Sequence, residues 1–156
     1  MTDQAISITD SGLQKLYQYW LEKRGTVLAP KRTDMDPVDL VFILPSLYII
    51  EVIGPPYRFR FRLAGTGLVK EYGGELTGKF ADEIDLDGKS GELILAEYEK
   101  AVRDAHPIAA KWHYVKNDGR ELQYEHLVLP LSSDGKNIDM LFGAAAMKGI
   151  GPIKGG

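Results

Sequence analysis

The chain has 156 residues, 44% of them hydrophobic and 26% charged, a length and balance that predict one domain with its own core. Nineteen basic and 22 acidic residues give a formal net charge of -3, which disfavours nucleic acid and anionic membranes as partners. The chain has no cysteine, which excludes disulfides, thiolate metal sites and cysteine nucleophiles and indicates a reducing, cytoplasmic location. No apolar run approaches the length of a membrane span, and the first ten residues do not resemble a signal peptide.

The first predicted element is an amphipathic helix. Its large apolar residues recur at helical spacing, namely Leu13, Leu16, Tyr17, Trp20 and Leu21. Asp10 or Ser11 can cap its start, and Gly25 marks its end. Further along, Asp36 and Pro37 are typical of the beginning of a short helix.

Two strands and a turn are predicted next. Residues 47–53 are mostly β-branched or aromatic, and Gly54-Pro55-Pro56 ends the run. Residues 58–63 alternate strictly, which places Phe59, Phe61 and Leu63 on one face and three arginines on the other. We expect the arginines to be solvated and paired with acidic neighbours, although they could also hold an anionic ligand.

Helical segments of increasing length follow this hairpin. Short helices are predicted over 68–72 and around Phe80, Ile84 and Leu86. A longer helix begins near Ser90 and ends before Pro107, because a residue that precedes proline avoids the helical conformation.

Three strands complete the predicted order, over 108–116, 120–131 and 137–146, and Asn-Asp-Gly and Asp-Gly turns separate them. Apolar residues occur on both faces of these strands, so a sheet built from them needs a covering layer on each side. The central helices can form one layer. The N-terminal helix, or a second copy of the chain, can form the other.

This order of elements resembles the PAS sensor-domain superfamily. The phrases LPSLYIIEV, RFRFRLAGTGL, GGELTGK and HLVLPL are most similar to small bacterial single-domain PAS-like (PAS_5-type) proteins. The resemblance implies an α+β fold: a five-stranded antiparallel sheet with short helices and one longer connecting helix on one face, plus an N-terminal flanking helix. It also implies a flanking segment over 1–46, a PAS-like core over 47–147 and a flexible Gly-rich tail over 148–156.

The resemblance implies a pocket for a small molecule between the sheet and the helices. A covalent flavin adduct and a thioester-linked chromophore both need a cysteine, so both are excluded. Haem is not expected, because the nearest candidate ligand is His106 at a helix end, a place more typical of a solvated cap. His106, His113 and His126 lie on different predicted elements, so no metal site is predicted.

The candidate ligand-binding residues are Tyr72, Phe80, Tyr98, Tyr124 and His126. The tyrosines can point a hydroxyl into the pocket or simply pack in the core. Tyr124 and His126 share one face of their strand, opposite Leu127, Leu129 and Leu131. The leucines make the better core stripe, which slightly favours an outward position for Tyr124 and His126, beneath the N-terminal helix or in a dimer contact.

We therefore expect a stand-alone, non-enzymatic sensory or interaction module that binds a small ligand and signals to a separate partner. The five apolar residues of the N-terminal helix are its expected flanking-helix or homodimer contact. One alternative is a cone-shaped α+β enzyme of the isomerase or dehydratase type, with His113, His126 or a carboxylate as base. Another is a structural adaptor without a ligand.

Overall fold

A computed structural model describes residues 6–84, 90–115 and 119–152. In these ranges, strands β1 (Leu47–Ile53), β2 (Arg58–Ala64), β3 (Ile108–Val115), β4 (Arg120–Leu131) and β5 (Met140–Pro152) form an antiparallel sheet of order β2-β1-β5-β4-β3. The helices are α1 (Ser11–Arg24), α2 (Thr66–Tyr72) and α3 (Ser90–Asp104), with 3-10 turns at Arg32–Asp34, Pro37–Leu40, Leu44–Ser46 and Ala81–Glu83. The predicted α+β architecture is confirmed. None of the described helices combines the length and apolarity that crossing a bilayer would require.

The ends of several elements differ from the prediction. β5 starts at Met140 and runs to Pro152, and its later residues pair with β4, so residues 148–152 are strand and do not belong to a flexible tail. The longer helix ends at Asp104 because Ala105 takes a positive φ of 49°. Leu86, Lys116 and residues 153–156 lie outside the described ranges.

Helix α1 covers the outer face of the sheet. The Asp10 carboxylate caps it by accepting from the Leu13 N–H at 2.9 Å. Its residues Leu13, Leu16 and Trp20 are fully buried, and the indole N–H of Trp20 donates to the Pro130 carbonyl of β4 at 2.9 Å. Tyr17 and Leu21 are half-buried against the same core.

The packing of α1 distinguishes between the two roles expected for its apolar residues, a flanking-helix contact and a homodimer contact. Because Leu13, Leu16 and Trp20 are buried against the chain's own sheet, they form a flanking-helix contact and are not available to a second copy. These three residues therefore take the flanking-helix role, and the expected homodimer stays a prediction.

Strand β2 departs from strict alternation. A register shift against β1 lies between Ile49 and Ile50, so Phe61 pairs with Ile50 while Leu63 pairs with Ile49. Leu63 consequently leaves the face of Phe59 and Phe61 and is half exposed. The prediction that Leu63 shares a face with Phe59 and Phe61 is therefore wrong, because an alternating sequence pattern does not reveal a β-bulge.

The β2 arginines are paired with carboxylates, as expected. Arg58 contacts Asp82 at 2.8 Å, and Arg60 and Arg62 approach Glu51 at 3.2 and 3.8 Å. Arg58 also stacks on the ring of Phe80 at 3.7 Å. This strand face is therefore a network of exposed ion pairs.

Candidate functional site

A cavity of about 160 Å³ lies between the inner face of the sheet and helices α2 and α3. Its described lining is mainly aromatic and aliphatic, and its polar members are few. The aromatic residues are Tyr48, Phe61, Tyr72, Tyr98, Trp112 and Tyr124; the aliphatic ones are Leu68, Leu76, Ile84, Ile94 and Ala145; Glu71 and His126 complete the lining. This composition is typical of a small-molecule pocket.

Strand parity explains how β4 serves both layers. The Glu125 carboxylate accepts from the Thr9 N–H at 2.7 Å, so the side chain of Glu125 points to the outer layer. Leu127, Leu129 and Leu131 share that parity and are fully buried. Tyr124 and His126 have the opposite parity and line the cavity. The slight preference for an outward position of these two residues is therefore wrong.

The reason for that error is that both faces of β4 are buried. A leucine stripe identifies a buried face, but it does not say which of two covering layers lies on it. Here the leucines pack beneath the N-terminal layer, and the cavity occupies the other side.

A buried hydrogen-bond relay forms the floor of the cavity. His126 is 3% exposed, its Nδ1 lies 3.1 Å from Oε1 of Glu97, and its Nε2 is hydrogen-bonded to the Tyr48 hydroxyl. The Tyr98 hydroxyl donates to the Tyr48 hydroxyl at 3.0 Å. The indole N–H of Trp112 donates to Oε2 of Glu97 at 2.9 Å. These five side chains, Glu97, Trp112, His126, Tyr48 and Tyr98, are called the relay below.

The relay joins elements that are far apart in the chain. Tyr48 lies on β1, Trp112 on β3 and His126 on β4, whereas Glu97 and Tyr98 lie on α3. The relay therefore fixes α3 to three strands, and every polar atom in it that needs a partner in the interior has one.

Burial also sets the charge state of the two phenols. Desolvation raises the pKa of Tyr48 well above its ordinary value, and the adjacent Tyr98 hydroxyl raises it further. Desolvation likewise raises the pKa of Tyr98, in spite of the opposing hydrogen bond with Tyr48. Both hydroxyls are therefore protonated and neutral at physiological pH.

Gly143 on β5 makes room for Tyr48. Gly143 pairs with Tyr48 across the strands, and the Tyr48 ring lies over the position where a side chain would be. A Cβ added there would overlap ring atom Cζ and the hydroxyl oxygen. The glycine is thus required for the Tyr48 ring to lie flat on the sheet and reach His126.

A second polar pair lies on the wall. The Tyr124 hydroxyl donates to Oε1 of Glu71 on α2 at 3.2 Å, and both residues line the cavity. Within the described residues, His, Asp and Glu do not gather in groups of three or more that could hold a metal ion. The cavity's chemistry is therefore that of aromatic faces, hydroxyl oxygens and a carboxylate.

Four of the five predicted ligand-binding residues come together here, namely Tyr72, Tyr98, Tyr124 and His126. Phe80 does not, because its ring lies beneath the Arg58 guanidinium outside the described lining. His106 lies at the end of α3 with Nδ1 3.0 Å from the Pro107 carbonyl, away from the cavity. The side chain of His113 lies outside the described part of the structure.

Sequence reasoning missed Tyr48, Glu97, Trp112, Glu71 and Gly143. One signal was available for the glycine, since an isolated glycine inside a strand often marks a close approach. Nothing local could identify Glu97, because a glutamate on a helix is ordinarily solvated. Its partner His126 is 29 residues away, and Tyr48 is 78 residues from His126.

Comparisons with known proteins identify the family and the fold. A family model described as a PAS domain matches residues 8–146. The chain belongs to the PAS domain family. The search of curated proteins found none that matches it.

Solved structures similar to this PAS domain include light-oxygen-voltage (LOV) domains. They include the LOV protein of Rhodobacter sphaeroides, with TM-score 0.50, 11% identity, and coverage of 90% of this chain and 70% of that one. The dark structure of the photoreceptor Aureochrome1 LOV matches with TM-score 0.50, 14% identity, and coverage of 93% and 88%. A LOV domain studied with a flavin analogue matches with TM-score 0.50, 14% identity, and coverage of 67% and 77%. At these identities the likeness concerns the fold.

Proposed function

We propose that this PAS domain is a sensory module that binds a small molecule non-covalently in the cavity between the sheet and helices α2 and α3. The observation that carries the proposal is the cavity itself, with its aromatic lining and its fully hydrogen-bonded relay. Small-molecule sites in proteins are typically pockets with mostly apolar walls and a few polar groups, and this cavity has that composition.

The size of the cavity argues for a ligand of about one ring. A cavity of about 150 Å³ holds a single benzene ring, and this cavity has a volume of about 160 Å³. Flavin, the cofactor suggested by the flavin-analogue study of a LOV domain, does not fit these residues. Its three-ring system is larger than the single ring that a cavity of this volume holds, and the chain has no cysteine for an adduct.

The enzyme alternative is less well supported. A general base needs a ring nitrogen that can reach a substrate. Both nitrogens of His126 are already engaged, Nδ1 with Glu97 and Nε2 with Tyr48. The described contacts of His126 are thus all with other side chains of the domain, and we do not propose it as a general base.

We further propose that occupancy is passed to a separate partner through the outer layer. Neighbouring residues of β4 serve the two sides: His126 belongs to the cavity floor, and Glu125 holds Thr9 ahead of α1. A ligand that shifts β4 would therefore also move Glu125 and change its hydrogen bonds at the start of α1. Hydrogen exchange of the α1 amides with and without ligand tests this path, and unchanged exchange would contradict it.

Native mass spectrometry and thermal denaturation test the binding proposal. We expect freshly purified protein to retain a small molecule that denaturation releases, or to be stabilised by single-ring compounds from a fragment library. Ala145→Leu, which fills this cavity, should abolish either effect. The matched control is Ala64→Leu, because Ala64 lines a separate cavity of about 260 Å³ on the outer side.

Two results would contradict the proposal. One is that no compound is retained or stabilises the wild-type domain. The other is that Ala64→Leu, and not Ala145→Leu, removes the effect, which would move the site to the outer cavity.

A further inference from the structure

A second cavity, of about 260 Å³, lies on the outer side of the sheet. Its walls come from the segment between α1 and β1, from strands β1, β2 and β5, and from the residues that begin α2. Its buried lining consists of Met35, Leu40, Leu47, Ile49 and Phe142, each of which is at most 4% exposed. The two cavities share no described lining residue, so the outer one is a separate place for a ligand.

The β-bulge between β1 and β2 supplies part of the outer wall. Because the register shifts between Ile49 and Ile50, Leu63 pairs with Ile49, and both of these paired residues line the outer cavity. Leu63 is 51% exposed, and Leu44 of the same lining is 37% exposed. A ligand that covers these two side chains removes apolar surface from water, which favours a ligand with an apolar body.

The lining of this cavity also contains a cation without a counter-ion. Arg32 is the only charged residue in the lining that the structure describes, and Thr66, its other polar side chain, is neutral. Arg32 is half-buried, and its guanidinium has no ion-pair or hydrogen-bond partner among the described residues. The three arginines of β2, in contrast, are paired with carboxylates. Since a guanidinium stays charged and binds carboxylates with two parallel N–H donors, an anion is the complementary ligand group.

The carboxylates nearest to Arg32 in sequence do not take that place. Asp34, Asp36 and Asp39 accept hydrogen bonds from backbone N–H groups or from a tyrosine hydroxyl, and none of them is in the described lining. All three are exposed, so salt screens their repulsion of an anion. The local charge at the described lining is therefore that of Arg32.

The volume and the walls limit the body of the ligand. A cavity of about 150 Å³ holds a benzene ring, so by proportion this cavity holds about ten non-hydrogen atoms. Its apolar walls are aliphatic apart from Phe142, so they offer few ring faces for stacking. A straight aliphatic chain that ends in a carboxylate, such as octanoate, has this size and this polarity.

We propose that the outer cavity binds a medium-chain aliphatic carboxylate, with the carboxylate paired to Arg32 and the chain packed against Ile49 and Leu63. The observation that carries the proposal is a half-buried guanidinium without a partner in the lining of an otherwise apolar cavity. This second site goes beyond the proposed function and does not depend on it, because the inner cavity is lined by other residues.

Calorimetric titration of the full chain with three probes of equal chain length tests the proposal. The probes are octanoate, octanol and octylammonium. We expect octanoate to bind at least about fivefold more tightly than octanol, because only octanoate pairs with the guanidinium, and octylammonium to bind most weakly. Equal or tighter binding of octanol or octylammonium, or binding of none of the three, would overturn the proposal. Neither result would bear on the inner cavity.

A charge-removing variant tests the role of the guanidinium. Arg32→Gln should weaken octanoate about fivefold and leave the affinity for octanol unchanged. Lys31→Gln is the matched control, because Lys31 is exposed, adjacent in sequence and outside the lining, and its replacement changes the net charge equally. An unchanged affinity for octanoate in Arg32→Gln, or equal losses in the two variants, would overturn the proposal.

Methyl signals in NMR spectra locate the bound chain. Octanoate should shift the signals of Ile49 and Leu63, which line the outer cavity, and leave those of Ile84 and Ile94, which line the inner one. Shifts confined to Ile84 and Ile94 would place octanoate in the inner cavity and overturn the proposal of a second site.

Discussion

Replacing Gly143 with alanine should damage the relay without touching any of its five side chains. The added Cβ would overlap Cζ and the hydroxyl oxygen of Tyr48, whereas an ordinary carbon contact needs about 3.5–4.0 Å. Because Gly143 lies in the centre of the sheet between β1 and β4, its backbone cannot retreat. The Tyr48 ring must move instead, and it then leaves His126.

The expected loss can be worked from two contributions. Overpacking a core position costs about 1–3 kcal/mol, and a buried polar group left without its partner costs about 1–3 kcal/mol. We therefore expect Gly143→Ala to lower the free energy of unfolding by about 3 kcal/mol. For a domain of this size that corresponds to a fall in Tm of roughly 6–12 °C.

Urea denaturation followed by tryptophan fluorescence measures the loss, with Gly74→Ala as control. A Cβ at Gly74 would meet its nearest neighbour, the Tyr72 ring, at 3.9 Å, so this change should cost less than about 1 kcal/mol. The imidazole nitrogen signals of His126 should shift in Gly143→Ala and stay in place in Gly74→Ala. Tyr48→Leu removes the far end of the ring, so adding Gly143→Ala to it should cost little more. A full, undiminished penalty in that background would refute the reasoning.

Three further changes test the outer layer and the relay. Trp20→Phe removes the indole N–H that donates to the Pro130 carbonyl, and it should lower the free energy of unfolding, measured by urea denaturation, by about 2 kcal/mol. An unchanged urea midpoint would count against this hydrogen bond. Burial alone would raise the pKa of Glu125, but the N–H groups of Thr9 and Asp10 outweigh it and lower that pKa. The stability that this carboxylate contributes is therefore present above its ordinary pKa of 4.5 and is lost as pH falls through its lower pKa in the folded state. Glu125→Gln should make the free energy of unfolding less dependent on pH in that range. A pH dependence equal to that of the wild type would argue against this role of Glu125. Tyr48→Phe should shift the His126 imidazole signals, and identical spectra would speak against their hydrogen bond.

Local patterns were sufficient for most of the architecture. The apolar spacing from Leu13 to Leu21 and the cap at Asp10 predicted α1, and the two Gly turns predicted the β3-β4-β5 meander. The need for two covering layers followed from apolar residues on both strand faces. These features depend on neighbours in sequence or on a simple period, which is why they could be read from the chain.

The parts that failed depend on contacts between distant residues. The bulge that turns Leu63 to the other face arises from pairing with β1, and the strand from 148 to 152 is held by pairing with β4. The relay joins Tyr48, Glu97 and His126 from three separate elements. A sequence shows that such side chains exist, but only the fold shows that they meet.

The position of a bound probe tests the central claim most directly. Intermolecular NOE measurements on methyl-labelled protein, with a single-ring compound that stabilises the domain as the probe, should show contacts from the probe to Ile84, Ile94 and Ala145, which line the inner cavity. Contacts to Ile49 and Leu63 of the outer cavity, or no contact with either set, would contradict the claim that this PAS domain holds its ligand over the relay.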